Sequence, residues 1–267
     1  MKKNKTLNLV LLLCFLISIA FSADKKSSQT ITLKADYSAN QKWTYSINYT
    51  SQGNFRQKSS NTSKSTQISA NMKIEKKDSQ KLEITLDSIS IKSDIYKEDI
   101  QKDIIDKLKK AQYTLTLING FPSIDTSIAL PVSYMEWDLY RQLIKLLPTL
   151  PTKPVKEGFT WERTDILPMN TSRGKISCEV YRRYTLSSIS GDSVKIFWKF
   201  RYSGGKADSS ALSEIPAFGT GNGTAVLDIK SGYILSAEMN FTTPVATIGD
   251  VSVVWHENAV IRLVNLR

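Results

Sequence analysis

Val194-Lys-Ile-Phe-Trp-Lys-Phe-Arg-Tyr202 places Val194, Ile196, Trp198, Phe200 and Tyr202 at every second position, with Lys195, Lys199 and Arg201 between them. Successive side chains of a strand point to opposite faces, so this alternation predicts a half-buried β-strand with one strongly aromatic face. The same period extends in both directions. Toward the C-terminus it carries Ala225, Leu227 and Ile229, then Tyr233, Leu235, Ala237, Met239 and Phe241. Val251, Val253 and Trp255, and then Ala259, Ile261 and Leu263, complete it. Toward the N-terminus it carries Ile176, Cys178 and Val180, and a strand led by Trp161.

The first half of the chain alternates in the same way. Ile31, Leu33, Ala35 and Tyr37 share one face, as do Trp43, Tyr45, Ile47 and Tyr49, and then Ile68, Ala70, Met72 and Ile74. Leu82, Ile84 and Leu86 follow the turn Lys77-Asp78-Ser79, and the phase then slips to Ile89 and Ile91, which predicts a bulge. The polar stretch Ser51 to Thr66 reads as a long mobile hairpin, and residues 203–223 as an irregular loop rich in Gly, Ser and Ala. Asn119-Gly120 is a strong hairpin signal because both turn positions need positive φ.

Two segments depart from period two. Ile100, Ile104, Ile105 and Leu108 predict a helix over about 94–110, capped by Ser93 or Asp94. Ser133-Tyr-Met-Glu136 is a capping box opening a helix over 133–147, with Met135, Leu139, Leu143, Leu146 and Leu147 on one stripe and Pro148 at its end. The expected class is therefore α+β and mainly antiparallel β: a strongly curved sheet or open barrel of about twelve strands with two helices.

The organisation reads as a signal peptide over 1–22, a flexible leader over 23–30, and a first β-rich half over 31–130. A helix and Pro-rich connector over 131–157 and a second β-rich half over 158–267 follow, the whole expected to be one structural unit. The halves rhyme: Gln41-Lys-Trp-Thr-Tyr45 and Gly158-Phe-Thr-Trp-Glu162 each open one with a tryptophan strand. The N-terminal signal rests on Lys2, Lys3 and Lys5, on the apolar run from Leu9 to Ala20, and on Ala20-Phe21-Ser22 as a cleavage site. The run is too short to span a bilayer, which takes roughly twenty residues. The expectation is export to the periplasm or the extracellular space, with no membrane span after cleavage.

Cleavage removes Cys14 and leaves Cys178 with no intrachain partner. It also removes three of the positive charges, lowering +11 to about +8. The remaining lysines and arginines are dispersed, as on a solvated surface; an anionic envelope surface is the sharper partner for them. No nucleic-acid-binding motif is present.

Candidate chemistry is sparse. His256 is the single histidine, no Gly-x-Ser-x-Gly elbow surrounds a serine, and one His with one Cys cannot make a usual zinc site. Glu98, Asp99, Asp103 and Asp106 belong to a lysine-rich helix and read as ordinary ion-pair partners; Glu83 and Asp87 lie at solvent-facing strand positions. A carboxylate-dependent hydrolase is the weaker alternative to a protein without catalysis. Gly219-Thr-Gly221-Asn-Gly223 lacks the strand before and helix after it that a dinucleotide fingerprint needs, so these glycines read as shaping a loop or bulge. No catalytic residue, metal or cofactor is expected.

Lys153-Pro-Val-Lys-Glu-Gly-Phe-Thr-Trp161 resembles the Pro-Val-x-x-Gly-x-x-Trp stretch found midway between the β-rich halves of an uncharacterised family of exported bacterial proteins. Tyr113-Thr-Leu-Thr-Leu-Ile-Asn-Gly120 and Thr224-Ala-Val-Leu-Asp-Ile-Lys-Ser-Gly232 look like that family's strand–Gly turns. The architecture is distantly similar to periplasmic lipoprotein carriers, which implies an open barrel with helices over a lipid-binding cavity. The expected function is that of an exported envelope protein binding a lipid or other apolar ligand, its cavity walled by Trp137, Leu143, Trp198, Phe200 and Tyr202. The alternative is a structural or protein-interaction module of the envelope.

Overall fold

The computed structural model describes residues 29–34, 41–57, 60–78, 81–110, 112–118, 121–124, 146, 148–171, 174–203, 219–243, 246–248 and 251–266. The strands are β1 Lys42–Gln57, β2 Ser60–Lys76, β3 Lys81–Ser93, β4 Gln112–Ile118, β5 Phe121–Ile124, β6 Thr160–Thr171, β7 Gly174–Ser190, β8 Ser193–Ser203, β9 Gly219–Asp228, β10 Ile234–Thr242, β11 Ala246–Ile248 and β12 Val251–Leu266. The helix α1, Glu98–Lys110, lies between β3 and β4. The signal segment, the 23–28 part of the leader and the helix expected over 133–147 (save Leu146, which is helical and buried) lie outside the described residues. No described helix is long and apolar enough to cross a membrane.

All the strands pair antiparallel in the order β5-β4-β3-β2-β1-β12-β10-β9-β8-β7-β6, with β11 on β12. The expectation of about twelve strands resolves into nine long ones, because β4, β5 and β11 have only seven, four and three residues. The result is one curved, unclosed antiparallel sheet and, among the described residues, a single helix of any length. The two halves of the chain meet where β1 pairs with β12. The outermost strands of the order, β5 and β6, carry Pro122 and Pro168. Proline lacks a ladder donor and is tolerated at such edges.

The alternation read from the sequence is realised as one buried face. Trp43, Tyr45, Ile47 and Tyr49 of β1, Ile68, Ala70, Met72 and Ile74 of β2, and Val194, Ile196, Trp198, Phe200 and Tyr202 of β8 all lie in the core. Helix α1 buries Ile104 and Leu108 and packs on β3. A face buried across so many strands needs a second layer.

The expected bulge is present. The β2–β3 register shifts between Ser69 and Asn71, opposite Ser88, whose φ of 50° lies in the left-handed region. Other expectations are corrected. The Ser51–Thr66 stretch is the expected hairpin, but a regular one: β1 runs to Gln57 and β2 begins at Ser60, in register throughout. Its hydroxyls and amides bond across the strands, as Gln52 does to Ser63 at 2.9 Å, which makes a polar two-strand ribbon. Among residues 29–34, Ile31 forms only an isolated bridge to Val155, with two backbone bonds of 2.8 Å. Tyr233 and Ile234 are both buried and Leu235 is turned outward, because the β9–β10 register slips between Ile234 and Ser236.

Helix α1 starts at Glu98 rather than near 94. Asp94 accepts bonds from the Ser65 amide and hydroxyl, and Ser93 Oγ accepts from the Ile95 and Tyr96 amides, so both are engaged in a turn before the helix. Lys97 is the first residue whose carbonyl accepts a helical bond, from Gln101 at 3.0 Å. Of the expected loop, Gly219–Gly223 belong to β9, paired on both sides; residues 204–218 lie outside the described residues.

Candidate functional site

Sheet register brings distant residues into rows that run across the strands on the buried face. One row is Trp161, Tyr184, Trp198, Gly223, Met239, Ala259, Tyr49, Ile68 and Ile91, each directly opposite the next. Apart from the Tyr and Trp donors it is apolar. The adjacent row is Arg163, Arg182, Phe200, Gly221, Phe241, Glu257, Ser51, Thr66 and Ser93, again unbroken from β6 to β3. Ser51, Thr66 and Arg182 are the buried polar or charged residues of the described core, and all three fall in this second row. The interior is therefore layered, with a polar belt beside apolar rows.

The three glycines of β9 shape the aromatic part. A Cβ on Gly223 would overlap the Trp198 ring, one on Gly221 the Phe200 ring, and one on Gly219 the Phe241 ring. The missing side chains let these rings lie down on the strand instead of standing away from it. Phe200 and Phe241, both opposite Gly221, stack across it with centroids 5.6 Å apart and planes 13° apart. Tyr202 meets both edge-on, at 5.8 and 5.2 Å. On the other side, Phe159, Trp161, Tyr184 and Trp198 form a continuous chain of ring contacts, spaced 6.2, 5.3 and 6.1 Å apart. The glycines thus seat rings within a regular strand, and the loop or bulge expected of them is not found.

At the β6–β7 end two guanidiniums share one carboxylate. Arg163 Nε donates to Asp165 Oδ1 at 2.6 Å, and Arg182 donates to Asp165 Oδ2. The Arg182 side chain is 6% exposed and that of Asp165 18%. Burial works against the Arg182 charge, but the neighbouring Tyr184, Asp165 and Tyr202 outweigh it and hold the guanidinium's pKa above the ordinary arginine value. The trio carries one net positive charge.

Beside it, the Tyr184 hydroxyl and the Trp198 Nε1–H are fully enclosed and make no hydrogen bond. A buried donor left unmatched costs about 1–3 kcal/mol, so such groups are uncommon unless something uses them. At the far end of the polar row the hydroxyls are matched: Thr66 Oγ1 and Ser93 Oγ are 2.7 Å apart.

Of the expected wall residues, the structure brings Trp198, Phe200 and Tyr202 together on the core face of β8. Trp137 and Leu143 lie outside the described residues, as do the side chain of Cys178 and the turn residues Asn119 and Gly120. Sequence reading missed Arg163, Asp165, Arg182, Tyr184 and Glu257. The signal for one of them was available: Arg182 falls in phase with Val180, Tyr184 and Leu186, so it had to face inward. His256 is exposed, with Nδ1 3.1 Å from Thr242 Oγ1. Asp103 pairs with Lys107 at 2.6 Å, one helical turn away, and Glu83 and Asp87 pair with Lys77 and Lys73 at 3.5 and 2.5 Å. Among the described residues no group of three or more His, Cys, Asp or Glu is placed to hold a metal ion.

No protein-family model matches the chain, and no curated protein does. Among solved structures, one of lipid–protein interactions in lipovitellin superposes with a TM-score of 0.54 at 10% identity, over 87% of this chain and 26% of that one. The chain thus spans about a quarter of that protein, and the likeness is one of fold. A putative outer membrane lipoprotein-sorting protein domain from Vibrio parahaemolyticus aligns over 87% of each chain at 7% identity and a TM-score of 0.16. A DUF1329 family protein from Desulfovibrio piger aligns over 86% of each at 11% and 0.15. The lipoprotein-carrier type named from the sequence is represented among these matches, at scores that carry no argument about this chain.

Proposed function

We propose that this is an exported cell-envelope protein without catalytic activity that binds a hydrophobic or amphipathic ligand against the concave face of its sheet. The observation that carries the reading is the aromatic lining laid over Gly219, Gly221 and Gly223. Rings laid on a strand turn continuous aromatic faces toward the interior, whereas side chains at the glycine positions would hold them away from the strand. Aromatic and aliphatic lining with a few placed polar groups is the usual make-up of a site for an apolar molecule. The fold shared with lipovitellin supports the reading, since that structure concerns lipid–protein interactions.

The test is native mass spectrometry and solvent extraction of the full chain purified from its own envelope. An apolar molecule recovered in stoichiometric amount is the expected result, and Phe200→Ala should reduce its occupancy. A protein that carries none and takes up no fatty acid or phospholipid on incubation overturns the reading.

A further inference from the structure

We propose that the outer side of the sheet, from β9 across to β2, is a docking surface for a neutral polysaccharide. This surface is separate from the interior and from anything bound there. Register sets three adjacent rows on it. The central row is Asn222, Asn240, Asn258, Thr50 and Gln67. Thr220, Thr242, His256, Gln52 and Ser65 flank it on one side, and Thr224, Glu238, Val260, Asn48 and Ser69 on the other. Every member is exposed or partly exposed, and Glu238 carries the only formal charge among them.

Two features set these rows apart from an ordinary solvated face. Charged residues make up 23% of the chain and belong on surfaces, yet they are nearly missing here. Asparagine is disfavoured in strands, yet three stand side by side at the centre, on β9, β10 and β12. Bonds along the surface orient part of the array. Asn258 donates to Asn240 Oδ1 at 2.9 Å and to Glu238 Oε1 at 3.3 Å, and Ser69 donates to Asn48 Oδ1 at 3.0 Å. In the same central row Asn222, Thr50 and Gln67 are exposed and make no side-chain bond within the described residues.

The partner that matches is rich in hydroxyls and free of charge. A sugar hydroxyl both donates and accepts, as side-chain amides and hydroxyls do. Neighbouring strands lie about 4.8 Å apart, close to the spacing of successive sugars in an extended chain, so one polymer can follow a row from strand to strand. The row through Thr224 continues onto Phe197 of β8, partly exposed on the same side. Its ring offers a seat for the C–H face of a sugar. An anionic polymer or lipid surface would find no lysine or arginine in these rows.

The experiment is a pull-down of the full chain on microcrystalline cellulose, chitin and insoluble β-1,3-glucan, with insoluble polygalacturonate as the anionic comparison. It is run at low salt and at about 1 M salt, where the Debye length falls to about 3 Å. Retention on at least one neutral polymer, unchanged by salt, is the expected result. Asn222→Val combined with Asn240→Val should leave the melting temperature unchanged or raised, because valine is the better strand former. The same pair should weaken retention about tenfold, as expected for the loss of two neutral hydrogen bonds. Thr50→Val, close in shape and on another strand, should weaken it in the same direction. Retention on none of the neutral polymers, retention that high salt abolishes, or full retention by these variants overturns the inference.

Discussion

The two ends of the polar row solve the same problem in different ways. In β2 and β3 the inward polar groups are small hydroxyls, and Thr66 and Ser93 satisfy each other at 2.7 Å. The floor beside them is aliphatic: Ile68, Met72, Ile84 and Leu86 fill it with side-chain volume. In β6–β9 the floor is aromatic and rests on glycines, the inward polar group is a charged arginine, and two donors beside it go unmatched. Matched hydroxyls in an aliphatic layer add rigidity and ask for nothing further. Unmatched donors beside a net charge are held at a cost to stability.

The contrast can be broken at its strongest point by Ile68→Ala. Ile68 is fully buried in the region held by side-chain volume, so a cavity should form and stability should fall by about 2–5 kcal/mol. Chemical denaturation would measure it, and a much smaller loss would mean that this layer is loosely filled. Gly221→Ala tests the aromatic side by adding volume instead of removing it. The new methyl would stand 2.7 Å from Phe200 Cε1 and 2.5 Å from the Asn240 carbonyl oxygen. A loss of about 1–3 kcal/mol from overpacking is expected, along with reduced uptake of an apolar probe. Unchanged stability and uptake would show that the rings are free to lift from the strand.

The smallest effect is a response to pH that the two regions share. Hydrogen bonding and charge from Lys73, outweighing partial burial, hold the Asp87 carboxyl on β3 below its usual range. Bonds from the Ser231 hydroxyl and amide do the same for Asp228 at the end of β9. A carboxyl with a lowered folded pKa contributes stability that is complete above its unfolded value and lost as pH falls through the folded one. Acidification below the ordinary carboxylate range should therefore destabilise both regions, and Asp87→Asn should flatten the dependence in a pH series of thermal melts. Arg182, charged throughout, should add no slope near neutrality.

Much of this was legible in the chain because burial at every second position is a local property. The strands bearing Trp43, Ile68, Leu82 and Trp198 could be placed from their own side chains, and so could the bulge at Ser88, where the apolar phase slips by one. A hairpin after Ser51 was legible but its regular strand pairing was not, since Ser, Thr and Gln alternating with one another carry no burial contrast. The start of α1 was misplaced because Ser93 and Asp94 have capping chemistry but spend it on a turn and on Ser65. Trp198, Phe200 and Tyr202 share one strand and could be grouped by period alone. Arg182 was overlooked because its charge outweighed its phase.

By itself the sequence determined which residues form strands and which of their faces turns inward, since alternation needs no knowledge of neighbours. Only the tertiary structure decided what stands next to what. The pairing of β1 with β12 joins the two ends of the chain and sets the register that aligns Ser51 with Glu257. The neighbouring ladders then carry the row on to Phe241, Gly221, Phe200 and Arg182. That row is written nowhere along the chain, because a ladder's register depends on how all its strands pack at once, and a shift of one residue would send every member to the opposite face.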